Sequence, residues 1–209
     1  MQWRELAVSG AWEVSPQVFR DDRGAFLEWF REGAFSEALG HPLHLAQANL
    51  SVSAVGVIRG IHFAQAPPGQ AKYVTCPVGA GLDVVIDLRI GSPTFGDWDA
   101  VLLDDADRRA VYISEGLGHA FCSLEDGSTV IYLCSEPYAP EREHSVQPFD
   151  ADLAIAWPTK DRGGRPLEHR LSTRDEQAPT LAAVRAAGLL PGADDVARYA
   201  ERLRKTARS

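Results

Sequence analysis

The stretch AKYVTCPVGAGLDVVIDLRI, residues 71–90, decides the fold. It holds two short β-rich runs, AKYVTCPVG and GLDVVIDLRI, with glycine punctuating the passage from one to the next. No segment suited to a helical crossover separates them, which argues against a parallel α/β sheet. Runs of the same kind recur on either side: WEVSPQVF, AFLEWF, DWDAVLL, AVYISEG, HAFCSLED and STVIYLCS. Their length and their Gly, Pro, Asp and Ser boundaries predict an antiparallel sandwich or barrel.

Helical signals lie outside this block. REGAFSEALG spaces Phe35 and Leu39 four apart and offers Gly40 as a stop, which predicts one early helix. APTLAAVRAAG and ADDVARYAERLRKTAR have helical propensity, with Pro179 and Asp194 near their starts. These helices are expected to pack on the barrel or an adjoining surface. At 209 residues, with no repeat or long linker, the chain is expected to form one domain over 1–209, with a helical segment at about 175–209.

Composition narrows the function classes. Apolar residues make up 45% and charged residues 24%, ordinary for a globular chain, and the formal net charge of -8 gives no basic face for nucleic acid. A local basic pocket for an anionic small molecule is compatible with these totals. Cys76, Cys122 and Cys134 fall in separate strand-like runs without a CxxC pair, which predicts buried thiols in a reducing compartment. MQWRELAVSG lacks the apolar run of a signal peptide, and no window approaches a membrane span. A cytoplasmic location is the expectation.

RGIHF, residues 59–63, places Arg59 and His62 three apart in a strand context. In an ideal strand they face opposite sides; both reach one cavity only if the strand is distorted between them, and Gly60 is the natural place for a bulge. Taken alone, the pair reads as a surface arginine and a satisfied core histidine. Lys72 in QAKYV, His119 in EGLGHAF, Tyr132 in VIYLC, Tyr138 in PYAP and Asp175 in LSTRD also have ordinary explanations singly. A lysine points to solvent, a tyrosine caps the core, and an aspartate caps a helix.

Taken together and in order, DDRGAFLEWFR, RGIHF, QAKYV, GLDVVIDLRIGSPTFGDW, ISEGLGHAF, YLCSEPYAPERE, IAWP and LSTRDEQAP resemble the dTDP-4-keto-6-deoxysugar 3,5-epimerases, the RmlC-like family, over roughly residues 12 to 181. The resemblance implies a mainly β fold, a cupin-type jelly roll with C-terminal helices. It implies a homodimer with shared active sites, no metal and no redox cofactor. The reaction it implies is proton abstraction next to the C4 ketone of dTDP-4-keto-6-deoxyglucose, then reprotonation from the opposite face, in deoxysugar and antibiotic-sugar biosynthesis.

By the same resemblance His62 is the base, since an imidazole takes up a proton near neutral pH, and Asp175 orients it. Lys72 places an ammonium beside the enolate oxygen, and Tyr132 is the acid on the far face. Arg23, Phe26, Glu28, Gln47, Asn49, Arg59, His119 and Tyr138 match substrate-binding positions, with the arginine fork suited to phosphate oxygens. Departures occur where Ala64 follows Phe63, and at Gly118, Pro137 and Arg174. C3 and C5 both flank the ketone, and YLCSEPYAPEREH resembles relatives acting on antibiotic sugars, so inversion at C3 is favoured with C5 left open.

Three rivals stand beside this. A metal-dependent cupin would use His62 and His119, but RGIHFAQAPPG lacks the second histidine and the glutamate such sites draw from this region. A non-catalytic sugar-nucleotide-binding cupin needs Arg23, Arg59 and Lys72, but not the alignment of His62, Asp175 and Tyr132. An interaction scaffold accounts for Trp12, Trp29, Trp98 and Trp157, and leaves the charged strand residues unexplained.

Overall fold

The computed structural model describes residues 1–207; the end of the helical segment expected up to 209 lies outside the described residues. Thirteen strands and four helices are described: β1 (Gln2–Glu5), β2 (Ala11–Ser15), β3 (Val18–Asp21), β4 (Gly24–Leu27), α1 (Glu32–Leu39), β5 (Gln47–Ser53), β6 (Ile58–Ala64), β7 (Lys72–Val78), β8 (Ala80–Asp87), β9 (Trp98–Asp104), β10 (Ala110–Ile113), β11 (Leu117–Ser123), β12 (Ser128–Cys134), β13 (Glu143–Ser145), α2 (Thr173–Glu176), α3 (Leu181–Ala186) and α4 (Ala193–Thr206). A six-stranded sheet runs β1-β2-β10-β7-β12-β5, and a five-stranded sheet runs β13-β6-β11-β8-β9. Strands β3 and β4 form a separate hairpin. The early helix falls where its spacing predicts, and Gly40 ends it in the left-handed region at φ 79.

The stretch 71–90 splits into β7 and β8, which pass to different sheets, so that Gly79, at φ 77, marks a crossing and not a hairpin within one sheet. Val74 and Cys76 of β7 and Val85 of β8 meet in the core between the sheets, with Leu103, Val111, Ile113, Phe121 and Val130. The alternate residues of β8, Val84 and Ile86, pack outward with Ile61, Phe63 and Cys122 under a cover of Val146, Leu153, Trp157, Leu181 and Val184. On the other side Phe35 of α1 packs with Tyr73 and Tyr112 on the outer face of the six-stranded sheet. Both faces of each sheet are thus largely covered, which is why β8 reads as a continuous apolar run and not as a clean alternation. All three cysteines are buried and free.

The C-terminal helices pack as expected. Thr180 caps α3 through its side chain, and the entry to α4 is tied to the segment after β8 by Ile90 N–H to Pro191 O at 2.8 Å and Ala193 N–H to Ile90 O at 2.9 Å. Tyr199 and Leu203 of α4 close a cavity of about 120 Å³ over Tyr112, His41 and Glu115. Burial pushes the Glu115 carboxyl up to about 7; its own N–H opposes this and the charge of Glu136 adds to it.

A carboxyl raised by folding stabilises the fold while protonated and loses that contribution as pH climbs through its folded value. Stability should therefore fall by roughly 1 kcal/mol more in the native chain than in Glu115→Gln between about pH 6 and about pH 8.5. Denaturant titrations of both chains at the two pH values measure the difference; equal pH slopes would contradict it.

Candidate active site

The β6 distortion is present. His62 pairs with His119 and Arg59 with Phe121, so three steps on β6 oppose two on β11. Gly60 sits at φ +124, and a Cβ placed there would lie 2.6 Å from Ala120 Cβ and 2.7 Å from His119 O. Ile61 turns outward into the covered core, exchanging backbone hydrogen bonds with Val146, while Arg59 and His62 both reach the inner face. Gly60→Ala should therefore cost about 2–4 kcal/mol in stability and misalign both side chains. Chemical denaturation gives the size of the loss, and a change under 1 kcal/mol (about fivefold in the folding equilibrium) would show that the bulge tolerates a side chain.

Between the sheets opens a cavity of about 280 Å³ lined by Arg59, His62, Lys72, His119, Tyr132 and Asp175, among others. The five-stranded sheet supplies Arg59, His62 and His119, and the six-stranded sheet supplies Lys72 and Tyr132. Lys72 lies opposite Cys134 in the β7–β12 register, so Tyr132, two residues back, is its diagonal neighbour on the same face. An imidazole and a phenol thus approach the cavity from two opposed walls, with an ammonium beside the phenol.

Asp175 is buried in the first turn of α2 and accepts a 2.7 Å hydrogen bond from His62 Nε2. The cap of this helix is Ser172, whose hydroxyl accepts from the Asp175 N–H and donates to its carboxylate at 3.0 Å. The capping role considered for Asp175 therefore belongs to Ser172, and the carboxylate is left for the imidazole. Burial raises the Asp175 carboxyl, but the His62 hydrogen bond and charge, with Ser172 and the Gly60 N–H, outweigh it and hold the group below the usual aspartate value. Since a carboxylate only accepts, His62 carries hydrogen on Nε2, and Nδ1 is the nitrogen that can take a proton. Burial pushes the Tyr132 phenol up, against the pull of the Arg59 charge, so it holds its proton at neutral pH.

Arg59 spans the sheets by donating to Ser53 Oγ at 3.0 Å and Val52 O at 3.1 Å, and His119 Nε2 donates to Asp83 at 2.8 Å. The remaining expected binders lie elsewhere in this chain. Arg23 pairs with Asp21, Glu28 lies 4.0 Å from Arg31, and Phe26 is 68% exposed, all on or just after the β3–β4 hairpin. Gln47 bonds Asn49 at 2.8 Å and accepts from the Tyr138 N–H at 2.9 Å, forming a polar chain along β5 beside Tyr132.

Sequence reasoning left several neighbours unread. Ser51 and Arg174 line the main cavity, and Glu143 lines a smaller one that Lys72 and His119 also border. Asp83 carried a usable signal, since a carboxylate in phase with Val85 on a strand buried on both faces must have a partner. His62 and His119 each spend Nε2 on a carboxylate, and among the described residues no three His, Cys, Asp or Glu side chains are grouped to hold a metal ion.

Residues 5–183 match the family model described as dTDP-4-dehydrorhamnose 3,5-epimerase. The chain is 58% identical over 205 residues to the dTDP-4-dehydrorhamnose 3,5-epimerase of Mycolicibacterium smegmatis, covering 98% of each protein. It superposes on the RmlC epimerase of Mycobacterium tuberculosis with a TM-score of 0.92 and 52% identity, covering 97% of this chain and 100% of that one. It also superposes on ChmJ, a 3'-monoepimerase from Streptomyces bikiniensis in complex with dTDP-quinovose, with a TM-score of 0.91 and 50% identity over 96% of this chain and 98% of that one. The fold is the cupin-type jelly roll of these enzymes, and the chain belongs to the dTDP-4-dehydrorhamnose 3,5-epimerase family of isomerases.

Proposed function

We propose that this chain epimerises dTDP-4-keto-6-deoxyglucose, inverting C3 and leaving C5 open to the same base, as a step in making a deoxysugar. The observation that carries this reading is the placing of His62 and Tyr132 on opposed walls of one cavity, with Lys72 beside Tyr132. His62 Nδ1 takes the proton from the carbon next to the ketone, and the electron pair moves onto the C4 oxygen as an enolate. The Lys72 ammonium stabilises that oxygen, and Asp175 stabilises the imidazolium. As the enolate collapses, Tyr132 gives its proton to the other face of the same carbon; solvent then reprotonates the phenolate and takes the proton from the His62 imidazolium. Arg59, Arg23 and His119 suit the diphosphate and sugar, and Phe26, Glu28, Gln47, Asn49 and Tyr138 the remaining substrate wall.

Incubation with dTDP-4-keto-6-deoxyglucose in heavy water, read by NMR, tests this directly. Deuterium at C3 with inverted configuration is expected. Deuterium with inversion at both carbons would assign a 3,5-epimerase, deuterium at C5 with its configuration kept would assign a 3-epimerase, and none at either carbon would end the reading.

The chain is read as one cytoplasmic domain acting as a homodimer with shared sites. The three free buried thiols support a reducing compartment. Leu50 and Val52 on the outward face of β5 are 64% and 58% exposed, and Phe19 and Phe26 on the hairpin 54% and 68%, an apolar surface suited to a second copy. With the hairpin crossing over, Arg23 would serve the partner's cavity. Mixing Arg23→Ala and His62→Asn chains should then restore about a quarter of native activity, as random pairing leaves half the molecules hybrid with one intact site each. Activity that stays at the level of the two parents would rule out the exchange.

A further inference from the structure

Asp83 is wholly buried, on the cavity side of β8 with Val85, and its carboxylate is hydrogen-bonded to His119. Its Oδ2 accepts from His119 Nε2 at 2.8 Å, while its Oδ1 is buried without a hydrogen-bond partner. A buried carboxylate with an unmade bond is costly, and a strand position flanked by apolar residues would tolerate an apolar side chain more cheaply. His119 lies directly across from His62 in the β6–β11 register and borders both the main cavity and the smaller one shared with Lys72 and Glu143.

From this we infer that Asp83 is a positioning residue for the proposed epimerisation: it holds His119 in the tautomer with hydrogen on Nε2, so that Nδ1, bearing a lone pair, is the nitrogen offered to the substrate. A neutral imidazole held this way accepts a hydrogen bond, so the group it recognises is a hydroxyl of the sugar and not a phosphate oxygen. The inference rests on the epimerase reading for its substrate, and on the Asp83–His119 bond for the tautomer.

Nitrogen-15 NMR of histidine-labelled resting protein, with no substrate present, reads the tautomer without depending on the reaction. Hydrogen on Nε2 of His119 with Nδ1 free of hydrogen is expected; hydrogen on Nδ1, alone or together with Nε2, overturns the inference whatever the enzyme does. In Asp83→Asn the amide can present either oxygen or nitrogen, so a mixture of tautomers is expected, with kcat/KM about 10- to 100-fold lower. Because Asp83 acts through His119, Asp83→Asn should change kcat/KM by less than about twofold when placed in a His119→Asn background. An equal loss in both backgrounds overturns the positioning role. If Asp83→Asn does not fold, the spectrum of the native chain decides; if the native chain exchanges no deuterium, the epimerase reading fails while the tautomer result stands.

Discussion

His62→Asn should abolish solvent-deuterium exchange at the sugar, by about a thousandfold or more, and leave dTDP binding within about threefold of the native chain. The size follows from what is lost. A general base contributes about 10² to 10⁴ in rate, and in the proposed mechanism the base also starts the route to the enolate, so neither washout nor inversion should survive its loss. The choice of asparagine matters. Its amide still offers a donor to Asp175, which remains bonded to Ser172, so the bulge and the first turn of α2 keep their polar partners. Exchange by NMR in heavy water and dTDP affinity by calorimetry separate the two effects. Exchange persisting within tenfold of native would remove His62 as the base, and a parallel collapse of dTDP affinity would show that the substitution had damaged the pocket instead.

Tyr132→Phe should slow net inversion by about 10²-fold or more while the substrate proton still washes out at a rate within about tenfold of native. Abstraction needs only the imidazole wall and Lys72; delivery to the other face needs the phenol. A phenylalanine keeps the ring that fills this part of the six-stranded sheet and removes only the hydroxyl, so packing against the core is conserved. The enolate then returns to starting material by taking a deuteron from His62, and deuterium accumulates without change of configuration. Deuterium content by mass spectrometry and configuration by NMR on the same sample give both rates. Equal loss of the two would unseat Tyr132 as the donor.

Much of the fold was legible because local signals and tertiary demand agreed. The bulge followed from needing Arg59 and His62 on one side with only Gly60 free to turn the chain, and that is how β6 is built. The helix over 32–39 had its apolar spacing and its glycine stop. WEVSPQVF, read as one run, is divided by Pro16 and Gln17 into β2 and β3, since proline donates no hydrogen bond to a ladder. Strand β5 was not read as a strand because its alternation is inverted: Gln47, Asn49, Ser51 and Ser53 turn inward while Leu50 and Val52 lie outside. That pattern belongs to a strand that borders a polar cavity on one side and offers an apolar surface on the other. At the site, the residues themselves raised His62 and Arg59 as a pair, whereas the bond from His62 to Asp175, 113 positions away, came only from family resemblance. Periodicity reports which face a residue occupies and is silent on what meets it there. Asp83 went unread for the same reason, its partner being on another strand.

The two groups proposed to react, His62 and Tyr132, are mounted on different sheets, and stacked sheets keep a separation of about 10 Å whatever their loops do. A pyranose clamped across that gap has its thickness matched by the scaffold, so attack from below and delivery from above are built into the architecture for whichever carbon lies between them. Divergence within such a scaffold between enzymes that flip one stereocentre and enzymes that flip two is then a matter of sideways travel. A ring free to slide or pivot by one atom presents a second C–H to the same pair of groups, and a ring pinned at its rim does not.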